Sequence, residues 1–323
     1  MKESAALYDL IIVGGGPAGL TAAVYATRKM LNVLLITENI GGQVLYSLNV
    51  ENYMGYQFIS GPDLMDRFEK QVEKYNVPRK FAQVKTIEEE SDAFVARTET
   101  DDEYRSKTII IATGKRSRTL NAKGVERFVG RGVSYCATCD APLFMDTDVA
   151  VLGGGNSAFT AAYELTRIAR KVYLINRSPW KADEVYLEKI REAANIDLLA
   201  GYELIEVKGD DAVNAAVFKN LSDNSLVSFP VTGIFIEIGL IPNSDVVRGL
   251  VTLNENGEIV IGYDCSTSVP GIYAAGDVTT VPEKQIIVAA GEGAKAAIGA
   301  YKYLLKEGLH GCRWLLNAAR RAE

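Results

Sequence analysis

The sequence predicts an α/β fold made of two three-layer units, the second inserted into the first, and three observations predict it. Residues 8–13, the loop Gly14-Gly15-Gly16-Pro17-Ala18-Gly19, residues 20–29 and residues 33–36 read as strand, glycine loop, helix and strand. The same order recurs in residues 149–152, the loop Gly153-Gly154-Gly155-Asn156-Ser157-Ala158, residues 159–169 and residues 172–175. Each unit closes on an apolar strand that stops at a glycine, at Gly114 in the first and Gly239 in the second. Strands at 257–260 and 271–275 and a helix over about 285–305 resume the first unit after the second has closed. Residues 1–118 and 246–323 are therefore assigned to one discontinuous domain and 119–245 to the other.

At 323 residues and 48% hydrophobic, the chain can bury two sizeable cores. Its 29 glycines, without low-complexity runs, suit many strand-to-helix turns. A formal charge of -6 argues against a nucleic-acid partner. There is no apolar run of membrane-spanning length, and residues 1–8 lack a basic segment followed by an apolar one. A cytoplasmic protein without a membrane partner is expected.

Taken in order, the first glycine loop lets the backbone approach a pyrophosphate whose charge rests on the following helix N-terminus. Glu38 ends the second strand at the spacing of a ribose-binding acid, so this unit reads as a Rossmann-like dinucleotide site. Gly41-Gly42-Gln43 and Glu51-Asn52-Tyr53 form a polar loop. Leu64, Met65, Phe68 and Val72 mark one face of a helix within 60–75, read as core packing. Residues 81–98 and 103–112 read as a small β meander. The second glycine loop implies a second dinucleotide.

Between the units lies Tyr135-Cys136-Ala137-Thr138-Cys139-Asp140-Ala141-Pro142. Two cysteines at this spacing are a redox couple or half of a metal site. With His310 as the single histidine, and Cys265 and Cys312 apart, nothing completes a zinc shell, and no metal is expected. A Ser-His or Cys-His hydrolase is disfavoured for the same reason. In a reducing compartment the pair is more plausibly catalytic than structural. Asp140 is the candidate proton donor, since burial can raise a carboxyl pKa toward neutrality. Cys265 is expected to be a free thiol, half-buried in a strand, and Cys312 a free thiol in the tail. That tail, with His310, Trp314, Arg320 and Arg321, reads as a surface helix.

Cys-Ala-Thr-Cys-Asp between two glycine fingerprints, upstream of Ala275-Gly276-Asp277, resembles the low-molecular-weight thioredoxin reductase family over about residues 8–305. The stretch from Gly276 to Lys295 is also similar to the flavoprotein component of alkyl hydroperoxide reductase, without that component's N-terminal thioredoxin-like modules. The resemblance implies FAD in the first domain, NADH or NADPH in the second, and a homodimer. It implies that Gly14, Gly16, Pro17, Ala18 and Gly19 hold the FAD pyrophosphate and Glu38 the ribose. Gly41, Gly42, Gln43 and Asn52 would line the flavin, Asp277 would meet the ribityl chain or pyrophosphate, and Gln285 and Ile286 the isoalloxazine edge. Val84, Thr113, Gly114, Gly276 and Lys284 complete that site. Gly153, Gly154, Gly155, Asn156, Ser157, Ala158, Arg177, Lys181 and Gly239 would bind the nicotinamide nucleotide.

The implied reaction runs from nicotinamide through FAD to the Cys136–Cys139 disulfide. Cys139 would face the flavin, Cys136 would attack a disulfide of thioredoxin or a glutaredoxin-like protein, and Asp140 would protonate the leaving thiolate. The inserted domain would rotate about short, exposed linkers near 115–120 and 241–245. A lesser alternative has Trp314 stacking over a flavin.

One run departs from the resemblance. A His-Arg-Arg cluster and a further arginine would clamp an NADPH 2′-phosphate, but here the run is Asn176-Arg177-Ser178-Pro179-Trp180-Lys181. Nor is there a carboxylate at Asn176 for a free ribose, so the run leans slightly to NADH or dual use. Ferredoxin or a deazaflavin as donor, and a peroxiredoxin as acceptor, are the alternatives to the pyridine nucleotide and thioredoxin.

Overall fold

The computed structural model describes residues 6–47, 50–91, 93–118, 120 and 122–308. His310, Cys312, Trp314, Arg320 and Arg321 lie outside the described residues. In chain order the first unit comprises β1 (Leu7–Gly15), α1 (Pro17–Arg28), β2 (Val33–Ile40), α2 (Gly61–Glu73), β3 (Arg79–Phe81), β4 (Val84–Glu89), β5 (Phe94–Thr98) and β6 (Glu103–Ile111). Pro17 opens α1, where its missing N–H is no loss, and Ser60 Oγ caps α2 by accepting from Asp63 N–H at 3.1 Å.

A short strand β7 (Lys115–Ser117) leads into the second unit, which holds β8 (Val133–Ser134), the four-residue turn α3 (Ala137–Asp140), β9 (Asp148–Leu152), α4 (Asn156–Leu165), β10 (Lys171–Asn176), α5 (Glu184–Arg191) and β11 (Ile196–Ala200). It continues with β12 (Tyr202–Gly209), β13 (Val213–Asn220), β14 (Leu226–Phe229) and β15 (Gly233–Ile236). The chain returns through β16 (Leu240–Pro242) to β17 (Ile272–Ala274) and α6 (Ile286–Lys306).

The first sheet has the order β3-β2-β1-β6-β5-β4, with β17 on the C-terminal half of β6. Strands β1, β2, β3, β6 and β17 are parallel, and β4 and β5 form an antiparallel meander. Leu10, Ile12, Leu35 and Ile110 face α1 and α6, whereas Ile11, Val13, Ile36 and Ile111 face a layer made by the meander and by Val247, Val251 and Ile259. Strands buried on both faces read as continuous apolar runs, which is what made them visible in the sequence. Leu64, Met65 and Val72 of α2 are buried.

The second sheet is wholly parallel, in the order β11-β10-β9-β15-β8. One face carries α3 and α4 over Val149, Val151, Leu174 and Phe235. The other carries the antiparallel β12-β13-β14 sheet over Ala150, Leu152, Ile175 and Ile234. The result is two Rossmann-like three-layer units, with the second interrupting the first between β6 and β17.

Three details depart from the expectations. Residues 257–260 form no strand; Ile259 makes isolated bridges to Leu253 and Thr279. Cys265 is not half-buried in a strand. It is fully buried at φ 66° in a turn, where Asp264 Oδ1 accepts from Ser266 N–H at 3.2 Å and Ser266 Oγ–H at 2.6 Å, a local bond that competes with strand pairing. The connections between the units, expected as short and exposed linkers, are short but partly buried, because β7 and β16 pair as an antiparallel ribbon. Lys115 in that ribbon is largely buried and pairs with Glu258 at 2.7 Å.

Candidate functional site

Strand ends, glycine turns and helix starts collect at the C-terminal edge of each parallel sheet, where α/β folds bind ligands. At the first edge, Gly14 has φ 114°, and a Cβ there would collide with the carbonyl of Ala112 at the end of β6. A Cβ at Gly19 would fall on the Gly14 carbonyl, so the loop packs on itself and leaves Gly16 facing open space. Gly41 N–H donates to Gly15 O at 2.9 Å, which brings the Gly41, Gly42 and Gln43 segment beside the loop. Glu38 stands exposed near the end of β2.

Residues far apart in sequence meet on this edge. Gln43 Nε2 donates to Lys115 O at 2.7 Å, and Asn52 Nδ2 to Gln285 Oε1 at 3.1 Å, just ahead of α6. Thr113 and Asn243 exchange side-chain-to-backbone bonds at 2.7 and 2.8 Å, and Asn243 N–H donates to Gly114 O. Gly276 lies against Ala18. Val84 opens β4 two residues after Ala82, whose N–H donates to Thr37 O.

Asp277 is pushed above the usual carboxylate range by burial, opposed by Lys284 and Lys115. Burial likewise lowers Lys284, which bonds Thr279 O at 2.5 Å and pairs with Glu258 at 3.3 Å. A backbone cradle closed to side chains at Gly14, Gly15 and Gly19 and open at Gly16, beside a desolvated Asp277 and two lysines, fits an anionic dinucleotide such as FAD.

At the second edge, Cys136 and Cys139 form a disulfide with Cα atoms 5.3 Å apart. Cys136 caps α3, and its Sγ accepts the Cys139 N–H at 3.2 Å. Ser134, at the end of β8, accepts the Cys136 N–H at 3.1 Å and donates to Asp140 Oδ2 at 2.6 Å. Burial raises the Asp140 pKa, with the Ser134 bond opposing. Its Oδ1 is buried and has no partner among the described residues. A cavity of about 20 Å³ bounded by Gly130, Ser134, Asp140 and Phe144 could admit one water. A larger cavity of about 540 Å³, lined by Tyr56, Phe58, Arg67 and Lys70, involves none of the candidate residues.

The second glycine loop adjoins this turn. A Cβ at Gly153 would strike Glu237 O, while Lys181 N–H donates to Gly154 O at 2.7 Å and Asn176 Nδ2 bonds Ser178 O at 2.7 Å. Asn156 and Asp183 exchange two bonds of 2.9 Å. Arg177 is paired with Glu203 at 3.2 Å. Gly239, at φ 92°, follows β15 and accepts from Arg118 N–H at 3.4 Å.

Glu237, not among the candidate site residues, follows β15 and accepts the Ala137 N–H beside the cysteines. Burial raises it from 4.5 to about 7, the Ala137 bond opposes, and Glu164 on α4 adds like-charge repulsion. The folded state therefore holds this proton between pH 4.5 and about 7, where the unfolded chain has released it. Its contribution is greatest below pH 4.5, is lost as pH rises through that window, and amounts to about 3 kcal/mol in full. Glu237→Gln should flatten the fall in stability between pH 5 and pH 8 by that order. Urea midpoints at the two pH values check this, and equal slopes in the two proteins would dismiss Glu237 from the account.

Among the described residues no group of three His, Cys, Asp or Glu could hold a metal ion, and no helix is long and apolar enough to cross a membrane. The chain is 40% identical over 306 residues to an alkyl hydroperoxide reductase subunit of Pseudomonas putida, covering 93% of this chain and 58% of that protein. It is 38% identical over 300 residues to an NADH dehydrogenase of Bacillus subtilis, covering 93% of this chain and 59% of that protein. The chain thus spans a little under three fifths of the length of these curated relatives. The crystal structure of thioredoxin reductase from Streptococcus pyogenes superposes with a TM-score of 0.89 at 38% identity, covering 94% of this chain and all of that one. The profile of the pyridine nucleotide-disulphide oxidoreductases matches residues 8–293. Two Rossmann-like units, a disulfide-bonded cysteine turn and this match agree: the chain belongs to the pyridine nucleotide-disulphide oxidoreductase family.

Proposed function

We propose that the chain is an FAD-dependent thioredoxin-disulfide reductase, taking electrons from NADH or NADPH and delivering them through Cys136 and Cys139 to thioredoxin or a glutaredoxin-like protein. The observation that carries this is the Cys136–Cys139 disulfide on a turn whose next residue is the desolvated Asp140. When bound, FAD supplies the two-electron relay between nicotinamide and disulfide. Gly14 to Gly19, with Asp277, Gln43, Asn52 and Gln285, are the residues that would hold it.

The sulfurs have separable roles. The Cys139 N–H points at Cys136 Sγ, and a donor there stabilises a thiolate, so Cys136 is the nucleophile toward the partner's disulfide. Asp140, whose carboxyl pKa burial raises and which Ser134 orients, supplies the proton that the leaving thiolate takes up. The second unit presents Gly153 to Ala158, Arg177, Lys181 and Gly239 to the nicotinamide nucleotide. The similarity to thioredoxin reductases extends the reading to a cytoplasmic homodimer.

A second reading rests on the similarity to an alkyl hydroperoxide reductase subunit of Pseudomonas putida: this chain would then be a flavoprotein that feeds a peroxiredoxin. The same turn would serve it, with the acceptor exchanged.

Anaerobic mixing of the oxidised protein with NADH, and separately with NADPH, tests the donor side. Flavin absorbance should bleach with both, and faster with NADH. Bleaching with neither would overturn the nicotinamide assignment and leave ferredoxin or a deazaflavin as donor.

A further inference from the structure

The nicotinamide reading of the second unit places the discriminating end of the nucleotide where β10 stops, beside the glycine loop. Asn176 ends β10, and its side chain lies so close to Gly154 that a Cβ on that glycine would overlap it. Arg177, the next residue, is the guanidinium that would grip a 2′-phosphate. The carboxylate that an NADH site usually has at this strand end is missing from the local sequence. The fold brings one from elsewhere. Asn176 O accepts the Gly201 N–H at 2.8 Å, and two residues further on Glu203 of β12 pairs with Arg177 at 3.2 Å. The cross-strand neighbour of Glu203 is Lys219, yet the ion pair it makes is with Arg177.

We infer that Glu203 is a specificity-determining residue, which occupies Arg177 and sets a negative charge where a 2′-phosphate would come, so that the site favours NADH over NADPH. The inference rests on the nucleotide reading of the 153–158 loop. Its logic is discrimination by repulsion: a doubly charged phosphate must displace the carboxylate or share one guanidinium with it, whereas ribose hydroxyls can hydrogen-bond a carboxylate. Lys181 and Ser178 stand in the same loop, and neither offers a bidentate fork to compensate.

The test is calorimetric titration of the full chain with 5′-AMP and with adenosine 2′,5′-bisphosphate at low ionic strength, which needs no turnover. In Glu203→Gln the ratio of bisphosphate to AMP affinity should rise about 10-fold over wild type, and further in Glu203→Lys. Adding Arg177→Leu to Glu203→Gln should return the ratio toward the wild-type value. The NADPH to NADH ratio of kcat/KM should follow the same order, with the change in KM rather than kcat. Wild-type binding of AMP with an unchanged ratio in both Glu203 variants overturns Glu203 alone. Binding of neither compound by the wild type overturns it together with the nucleotide reading beneath it.

Discussion

Cys136→Ser and Cys139→Ser are each expected to lower protein-disulfide reduction by more than about 10³-fold. Carrying two electrons as a thiol pair requires both sulfurs, and a serine oxygen can neither form the disulfide nor become a useful nucleophile at neutral pH. The two losses should differ in kind. With Cys139 replaced, Cys136 keeps the N–H of residue 139 as a donor, so it should attack a partner disulfide once and arrest as a mixed disulfide. With Cys136 replaced, no such adduct should accumulate through the better-placed sulfur. Coupled insulin reduction with added thioredoxin measures the loss, and non-reducing gels show the adduct. Dye reduction should persist in both variants, because a dye takes electrons without the sulfur pair, so it shows that the flavin still turns over while disulfide reduction is lost. A Cys136 variant that still reduces thioredoxin would end the disulfide reading.

What was legible in the sequence were local patterns. Ile109, Ile110 and Ile111 announce a strand covered on both faces, and Gly14 and Gly153 announce turns where a side chain would meet backbone. Cys136 and Cys139 announce themselves by spacing. What was not legible lies in pairings across sequence distance. Ser134 and Asp140 are neighbours in the chain, yet the bond between them exists only because β8 ends where α3 begins. Glu237 meets Ala137 because β15 pairs with β8, a parallel contact that no local period encodes. Glu203 reaches Arg177 because Gly201, between β11 and β12, bonds Asn176 O, and Lys115 reaches Glu258 across the whole inserted unit. The misread Cys265 has a local cause: the Asp264 side chain bonds Ser266, and such a bond bends apolar surroundings into a turn.

Gly293→Ala is expected to be strongly destabilising, and Gly291→Ala, two residues away, to be stabilising. Both positions lie inside α6, where replacing glycine by alanine gains about 1 kcal/mol of helix propensity. They differ in what a methyl group would meet. At Gly291 nothing lies within 4 Å of it. At Gly293 it would overlap the backbone carbonyl of Ala18, which sits in the first turn of α1 and cannot swing aside as a side chain could. Relief requires α6 to move away from α1. That movement opens the contact of Gly276 with Ala18, disturbs the glycine loop, and shifts Gln285 from Asn52. Overpacking of this kind costs about 1–3 kcal/mol and more against backbone, so the net loss should be about 2 kcal/mol or greater. Because the strain falls on the loop assigned to FAD, retained flavin per chain should drop as well. Denaturant midpoints and flavin absorbance after gel filtration read the two effects separately. A Gly293→Ala protein as stable and as yellow as wild type would mean that α6 yields freely, and that the close crossing of α1 and α6 does not hold the site.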